Sequence, residues 1–77
     1  MQGMNHVNDR PSLSIRLNGE ERAVASQTVM ALLEELGIPL TKVAVEQNRA
    51  IVPKSTYADT ALAAGDEIEI VQFVGGG

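Results

Sequence analysis

The sequence predicts an α+β fold in which one main helix packs across one face of a mixed sheet of four to five strands. Three observations lead to this prediction. Alternating apolar residues followed by an Asn-Gly pair occupy 13–19, a helical stripe follows at 28–37, and further apolar runs of strand length lie within 43–74. A hairpin, one helix and then more strands is the element order of a helix layer packed on a sheet layer.

The first two strands are predicted to form a hairpin. Every second residue of 13–17 is apolar, which is the two-residue period of a strand with one buried face. Asn18 and Gly19 follow, and both tolerate the positive φ of a two-residue hairpin turn. A second strand is expected over 20–25, without a defined register because its alternation is weak.

The main helix is predicted to begin after Thr28 and to end before Gly37. The Thr28 hydroxyl can cap the first turn, and the apolar residues at 29, 32, 33 and 36 share one helical face. Gly37 suits the left-handed position that follows a helix, and Pro39 prevents continuation. We expect the apolar stripe to pack on the sheet.

The remaining elements are expected to be a third strand over 43–46, a brief fourth strand over 50–52, a turn of helix near 55–58 with Tyr57 and Leu62 packed inward, and a final strand over 68–74. On the final strand, the two-residue period places Ile68 and Ile70 against the helix. Val71 and Phe73 then lie on the outer face. Together with Val74 they form a candidate partner-binding site, because exposed apolar patches often mark interaction surfaces.

Three segments are expected along the chain. Residues 1–11 are polar and lack periodicity, which predicts a disordered leader, and 12–74 form the folded body. Gly75–Gly77 are predicted to be a flexible tail, because glycine has no Cβ and reaches nearly all of φ/ψ space. Extended, these three residues span about 10 Å, enough to thread a narrow tunnel and deliver a terminal carboxylate to a partner's active site. The alternative is an inert, frayed end.

Composition argues against several classes of function. The formal net charge is −4 and the six basic residues are scattered, which argues against nucleic-acid binding. There is no cysteine, and the single histidine, His6, lies in the predicted leader. We therefore expect no catalytic residue, no metal and no bound cofactor. No apolar run approaches the roughly 18 residues of a membrane span and no signal-peptide pattern is present, so a cytoplasmic location without membrane partners is expected.

Five segments of the sequence together match a known pattern. They are Leu17-Asn18-Gly19-Glu20, Thr28-Val29-x-x-Leu32-Leu33, Val43-Ala44-Val45-Glu46, Ile51-Val52-Pro53-Lys54, and Gly65-Asp66-x-Ile68-Glu69-Ile70-Val71 with the ending Phe73-Val74-Gly75-Gly76-Gly77. From residue 12 to 77 the chain resembles the ThiS family of thiamine-biosynthesis sulfur carriers, which has the ubiquitin-like β-grasp fold. Arg49, where many members have glycine, and Tyr57, where tryptophan is frequent, depart from the family pattern.

The resemblance implies a carrier that partner enzymes act on, and not an enzyme. In ThiS-like proteins the adenylyltransferase ThiF consumes ATP to adenylate the C-terminal glycine carboxylate. Sulfur from a cysteine desulfurase then displaces AMP, and the thiazole synthase ThiG takes sulfur from the resulting thiocarboxylate. Transferred to this sequence, Gly77 is the modified residue, and Gly75, Gly76 and Gly77 thread the partner's active site.

Two alternatives remain open from the sequence. One is a related carrier on the same fold, either of the molybdopterin-type MoaD kind or a ubiquitin-like modifier. The other is a β-grasp domain that only binds a partner, with inert glycines.

Overall fold

The segment of alternating apolar residues forms strand β1 (Leu13–Leu17), as predicted. Strand β2 (Glu20–Val24) runs antiparallel to it. A computed structural model of the chain describes residues 12–73. β2 is an edge strand whose residues are exposed except for Val24. This explains its weak alternation, since an edge strand with one buried residue has no pattern from which a register can be predicted.

The helix α1 (Val29–Leu36) begins and ends at the residues that the sequence predicts. The Thr28 Oγ1 accepts a hydrogen bond of 3.1 Å from the Ala31 backbone N–H. Gly37 has a φ of 72°, and its N–H donates to the Glu34 carbonyl at 3.1 Å. A left-handed glycine thus satisfies a carbonyl that the end of the helix would otherwise leave unpaired.

After the helix come a 3₁₀ turn at Leu40–Lys42, strand β3 (Val43–Gln47), strand β4 (Ala50–Ile51), a 3₁₀ helix at Lys54–Asp59, and strand β5 (Glu67–Gln72). The five strands form one sheet in the order β2-β1-β5-β3-β4. β5 is parallel to β1 and antiparallel to β3. The predicted mixed sheet with one main helix is confirmed, with five strands.

Element boundaries differ from the predictions by one or two residues. The final strand was predicted over 68–74, but β5 begins at Glu67 and ends at Gln72. Its ladder ends there because Gln72 pairs with Val43, the first residue of β3. The second and fourth strands each end one residue earlier than predicted, and β3 ends one residue later. The predicted leader 1–11, Val74 and the predicted tail 75–77 lie outside the described residues.

The core lies between α1 and the inner face of the sheet. Its buried apolar residues are Ile15, Val24, Val29, Leu32, Leu33, Val43, Val45, Val52, Tyr57, Leu62, Ile68 and Ile70. The inward packing predicted for Tyr57 and Leu62 is confirmed. The largest buried side chain is that of Tyr57, which compensates for a core otherwise built from small aliphatic residues. Within 12–73, no helix has both the length and the apolar character that crossing a membrane requires.

Two turns in the sheet use the same backbone geometry with different residues. Asn18 and Gly19 have φ values of 50° and 86°, and Asn48 and Arg49 have φ values of 53° and 71°. Positive φ at both central residues suits a tight hairpin between twisted strands. Glycine adopts this backbone freely, whereas a residue with a Cβ is strained in it. The Arg49 turn therefore carries strain that the Gly19 turn does not.

We expect Arg49→Gly to stabilise the domain by about 0.5–1 kcal/mol, because it removes the strain of a side chain at positive φ. The exposed pair between Arg49 Nε and Glu67 Oε1, at 3.8 Å, contributes at most about 1 kcal/mol and offsets part of this gain. Urea denaturation measures the change. Gly19→Arg is the matched reverse variant: a Cβ there meets nothing within 4 Å, so it should destabilise by about 1–2 kcal/mol through φ alone. Equal free energies of unfolding for wild type and both variants would show that a side chain at positive φ carries no strain in these turns.

Candidate functional site

Strand β5 presents two chemically different faces. Ile68 and Ile70 are buried against the helix side, and Glu67, Glu69 and Val71 are exposed on the other. The predicted facing of the strand is therefore confirmed. The final strand of the described chain carries core residues on one face and a solvent-facing surface on the other, and it leads directly towards the predicted tail.

An exposed apolar pair lies at the end of β5. Val71 is 53% exposed and Phe73 is 57% exposed. Phe73 is still held to the body, because its backbone N–H donates to the Lys42 carbonyl at 2.9 Å. A phenylalanine this exposed does not close the rim of the core. Val74, the third residue of the predicted partner-binding site, lies outside the described residues, and the docking role of the pair stays a prediction.

A charged depression of about 400 Å³ lies on the outer face of the sheet. It is lined by Arg16, Gly19, Glu46, Arg49, Glu67 and Glu69. Glu46 and Glu69 are directly opposite each other in the β3–β5 register. Like charges in this arrangement repel and destabilise a sheet. The depression is open and polar, unlike the enclosed apolar pockets that hold small molecules.

A buried carboxylate fixes the start of β5. Asp66 accepts hydrogen bonds from the Gln47 Nε2 at 2.9 Å, the Asn48 Nδ2 at 3.1 Å and the Ala63 backbone N–H at 2.8 Å. Burial by itself would raise the pKa of Asp66, but these three hydrogen bonds outweigh it and lower the pKa below the usual aspartate value. The carboxylate joins the β3–β4 turn, the preceding loop and β5 into one unit.

Sequence reasoning missed this role of Asp66. The Gly65-Asp66 pair predicts a turn, and Gly65 does have a φ of 87°. Nothing in the spacing indicates that the acid is buried, because its partners Gln47 and Asn48 are nearly twenty residues away along the chain. Within residues 12–73, no three histidine, cysteine or acidic side chains come together as a group that could hold a metal ion.

The chain belongs to the ThiS family. The sequence profile of that family matches residues 15–77. The chain is 38% identical over 61 residues to the sulfur carrier protein ThiS of Thermus thermophilus, a match that covers 79% of this chain and 95% of that protein. It is 37% identical over 65 residues to the ThiS of Bacillus subtilis, covering 82% of this chain and 98% of that protein.

Two further comparisons bear on the fold and on partners. The crystal structure of a thiamine biosynthesis protein (ThiS) from Geobacter metallireducens is similar, with a TM-score of 0.71, 28% identity and coverage of 84% of this chain and all of that one. The β-grasp fold predicted for the chain is therefore confirmed. The chain is also 58% identical over 66 residues to a thiazole synthase of Paramagnetospirillum magneticum, covering 84% of this chain but only 20% of that protein.

We expect Asp66→Asn to lower the free energy of unfolding by about 1–3 kcal/mol at pH 7, because it replaces one of two buried acceptor oxygens with an NH2 group that faces other N–H donors, and removes the charge that strengthens the remaining hydrogen bonds. The pKa of Asp66 is lower in the folded than in the unfolded chain, so its ionised form stabilises the fold above about pH 4. That stability is lost as the pH falls through the folded pKa. Urea denaturation should therefore show the difference in unfolding free energy between wild type and variant shrinking as the pH falls below about 4. Asp59→Asn is the control, because Asp59 is exposed, and it should change the free energy of unfolding by less than about 0.5 kcal/mol. If the difference between wild type and Asp66→Asn did not depend on pH, the ionised Asp66 carboxylate would not be the stabilising group.

We expect Val71→Thr and Phe73→Ser to change the free energy of unfolding by less than about 0.5 kcal/mol, because both side chains are exposed. Each should nevertheless weaken binding to the ThiF-type adenylyltransferase that is proposed below as a partner, by about fivefold or more, as removal of an apolar anchor does. Calorimetric titration measures the binding. Ile51→Thr is the matched control, since Ile51 is 75% exposed but lies on the far edge strand β4. If all three variants lost the same amount of binding affinity, the binding surface would not be centred on Val71 and Phe73.

Proposed function

We propose that this chain is a sulfur carrier in thiamine biosynthesis and that its Gly77 carboxylate is the group that carries sulfur. The observation that supports this most directly is its membership of the ThiS family over residues 15–77, which includes the three glycines. The folded body is a docking platform, and partner enzymes supply the catalysis. The chain is a co-substrate in this scheme and not an enzyme.

The chemistry starts from an ionised carboxylate. An α-carboxyl group has a pKa of about 3.3–3.7, so it is ionised at neutral pH and needs no general base. One oxygen attacks the α-phosphorus of ATP, pyrophosphate leaves, and an acyl-adenylate forms. The terminal sulfur of a persulfide then attacks the acyl carbon and expels AMP. A thiol cleaves the resulting acyl disulfide, provides the two electrons and leaves a thiocarboxylate on Gly77.

This scheme assigns three partners by the chemistry of each step. A ThiF-type adenylyltransferase binds and consumes the ATP, so the carrier itself needs no bound cofactor. A cysteine desulfurase supplies the persulfide sulfur. A ThiG-type thiazole synthase accepts sulfur from the thiocarboxylate. Each reaction takes place in a partner's active site, which the glycines enter because they bring no side chain into a narrow channel.

The thiazole synthase similarity supports the last of these partners. This chain spans 20% of the length of two proteins of that name, from Paramagnetospirillum magneticum and Magnetococcus marinus, at 58% and 47% identity. Those polypeptides thus include a segment similar to this carrier. Joining two modules in one chain raises their effective concentration for each other, which favours modules that work together. A cytoplasmic location, where ATP is available, stays part of the proposal.

Intact-mass spectrometry tests the proposal. Incubation with a ThiF-type adenylyltransferase, ATP, a cysteine desulfurase and cysteine should change the mass of the chain by one oxygen-to-sulfur exchange, because the terminal carboxylate becomes a thiocarboxylate. Deletion of Gly77, or addition of one residue after it, should abolish the change without altering the circular dichroism spectrum, since the core of the described body is built from residues between 15 and 70.

The control is an established ThiS protein in the same reaction. If that protein is modified and this chain is not, the binding-only alternative holds. If the thiocarboxylate forms but supports dithiolene formation and not thiazole formation, the molybdopterin-type alternative holds.

A further inference from the structure

The pairing of β1 with β5 ends before β5 does. The parallel register joins Arg16 to Glu67 and Leu17 to Ile68. One further backbone bond follows, from the Asn18 N–H to the Ile68 carbonyl at 2.8 Å. Beyond that point the chain of β1 turns away into the hairpin, while β5 continues to Gln72.

The side chain of Asn18 takes the place of the missing strand. Its Oδ1 accepts from the Ile70 backbone N–H at 2.7 Å, and its Nδ2 donates to the Ile70 carbonyl at 3.3 Å. These two bonds reproduce what a neighbouring strand residue would make. Among the described residues this amide is the last hydrogen-bonding contact on the β1 side of β5. Past Ile70, the contacts between described residues hold the strand from the β3 side alone, where Gln72 pairs with Val43.

A second asparagine makes a comparable contact at the opposite end of β5. The Asn48 Oδ1 accepts from the Glu67 N–H at 2.9 Å, and its Nδ2 donates to the Asp66 Oδ1 at 3.1 Å. Asn48 has a φ of 53° and Asn18 has a φ of 50°. The two residues thus share side chain, turn position and type of contact. They differ in which end of β5 they hold, the start or the end nearest the predicted tail.

We infer that Asn18 is a positioning residue for the carrier function: its side-chain amide clamps Ile70 and thereby fixes the direction in which the chain leaves the body towards Gly77. This inference depends on the proposed function. The turn itself does not require asparagine, since glycine satisfies positive φ at this position equally well. A carrier whose tail leaves in many directions spends less time in the orientation that a partner's channel accepts. Its apparent affinity falls in proportion to the competent fraction.

Native-state amide exchange, followed by NMR, tests the clamp without any partner. Asn18→Gly removes the amide and keeps the turn, and Asn48→Gly is the matched control. Asn18→Gly should speed exchange at Ile70, Val71 and Phe73 by about tenfold, the loss expected on removing a hydrogen-bonded contact. Asn48→Gly should instead speed amide exchange at Glu67, whose N–H donates to the Asn48 side chain. Equal acceleration along the whole of β5 in both variants would overturn the inference, because it would show only a loss of global stability.

Adenylation kinetics test the consequence for function. With a ThiF-type adenylyltransferase and ATP, Asn18→Gly should raise the KM for the carrier about fivefold and leave kcat within about twofold, because it lowers the fraction of competent carrier. Asn48→Gly should stay within about twofold of wild type in both constants. If both variants raise KM equally, Asn18 has a structural role only and the inference fails.

A third variant keeps the test decisive if Asn18→Gly does not fold. Asn18→Asp retains the acceptor for the Ile70 N–H and loses only the donor to the Ile70 carbonyl. Its exchange rates at Ile70 and Phe73 and its KM should exceed those of wild type; values equal to wild type would overturn the inference. Failure of wild type itself to be adenylated would refute the proposed function, and the exchange measurement would still decide whether the clamp acts.

Discussion

Strand β5 is hydrogen-bonded to β1 on one side and to β3 on the other, and both hairpins depend on it for their place in the sheet. Without β5, β1–β2 and β3–β4 are two separate hairpins, and isolated hairpins are marginal in water. The last strand in the chain therefore completes the fold. The same strand leads to the predicted tail, so the group proposed to react is attached to the strand that joins the two hairpins.

The contacts of β5 divide between stability and recognition according to the face on which they lie. Ile68 and Ile70 belong to the core, whereas Val71 and Phe73 remain exposed. The outer face also contains Glu46 opposite Glu69, a pairing that a surface selected for stability alone would avoid. The described residues leave no buried side-chain nitrogen or oxygen atom without a partner. The apolar core thus lies on the inner face, and the outer face of β5 is exposed to solvent.

A rigid body followed by side-chain-free residues suits a carrier for an energetic reason. Association costs translational, rotational and conformational freedom, and a preorganised docking surface provides the favourable contacts that offset the ordering of the glycines. A single fixed conformation of the glycines would not suit the different active sites of the three proposed partners. The clamp inferred for Asn18 holds the strand that precedes the predicted tail.

The sequence by itself determined the fold class, the helix with its Thr28 cap and Gly37 end, the Asn-Gly hairpin, and the two faces of β5. These features follow from local periodicity and from residues whose backbone preferences act over a few positions. Only the tertiary structure decided that Asp66 is buried and that Asn18 and Asn48 each hold one end of β5. It also set the ends of the strands: the last residue of β5, Gln72, is the one that pairs with the first residue of β3, Val43. Contacts such as that between Asn18 and Ile70 join residues 52 positions apart, and no local pattern encodes such a distance until the sheet has formed.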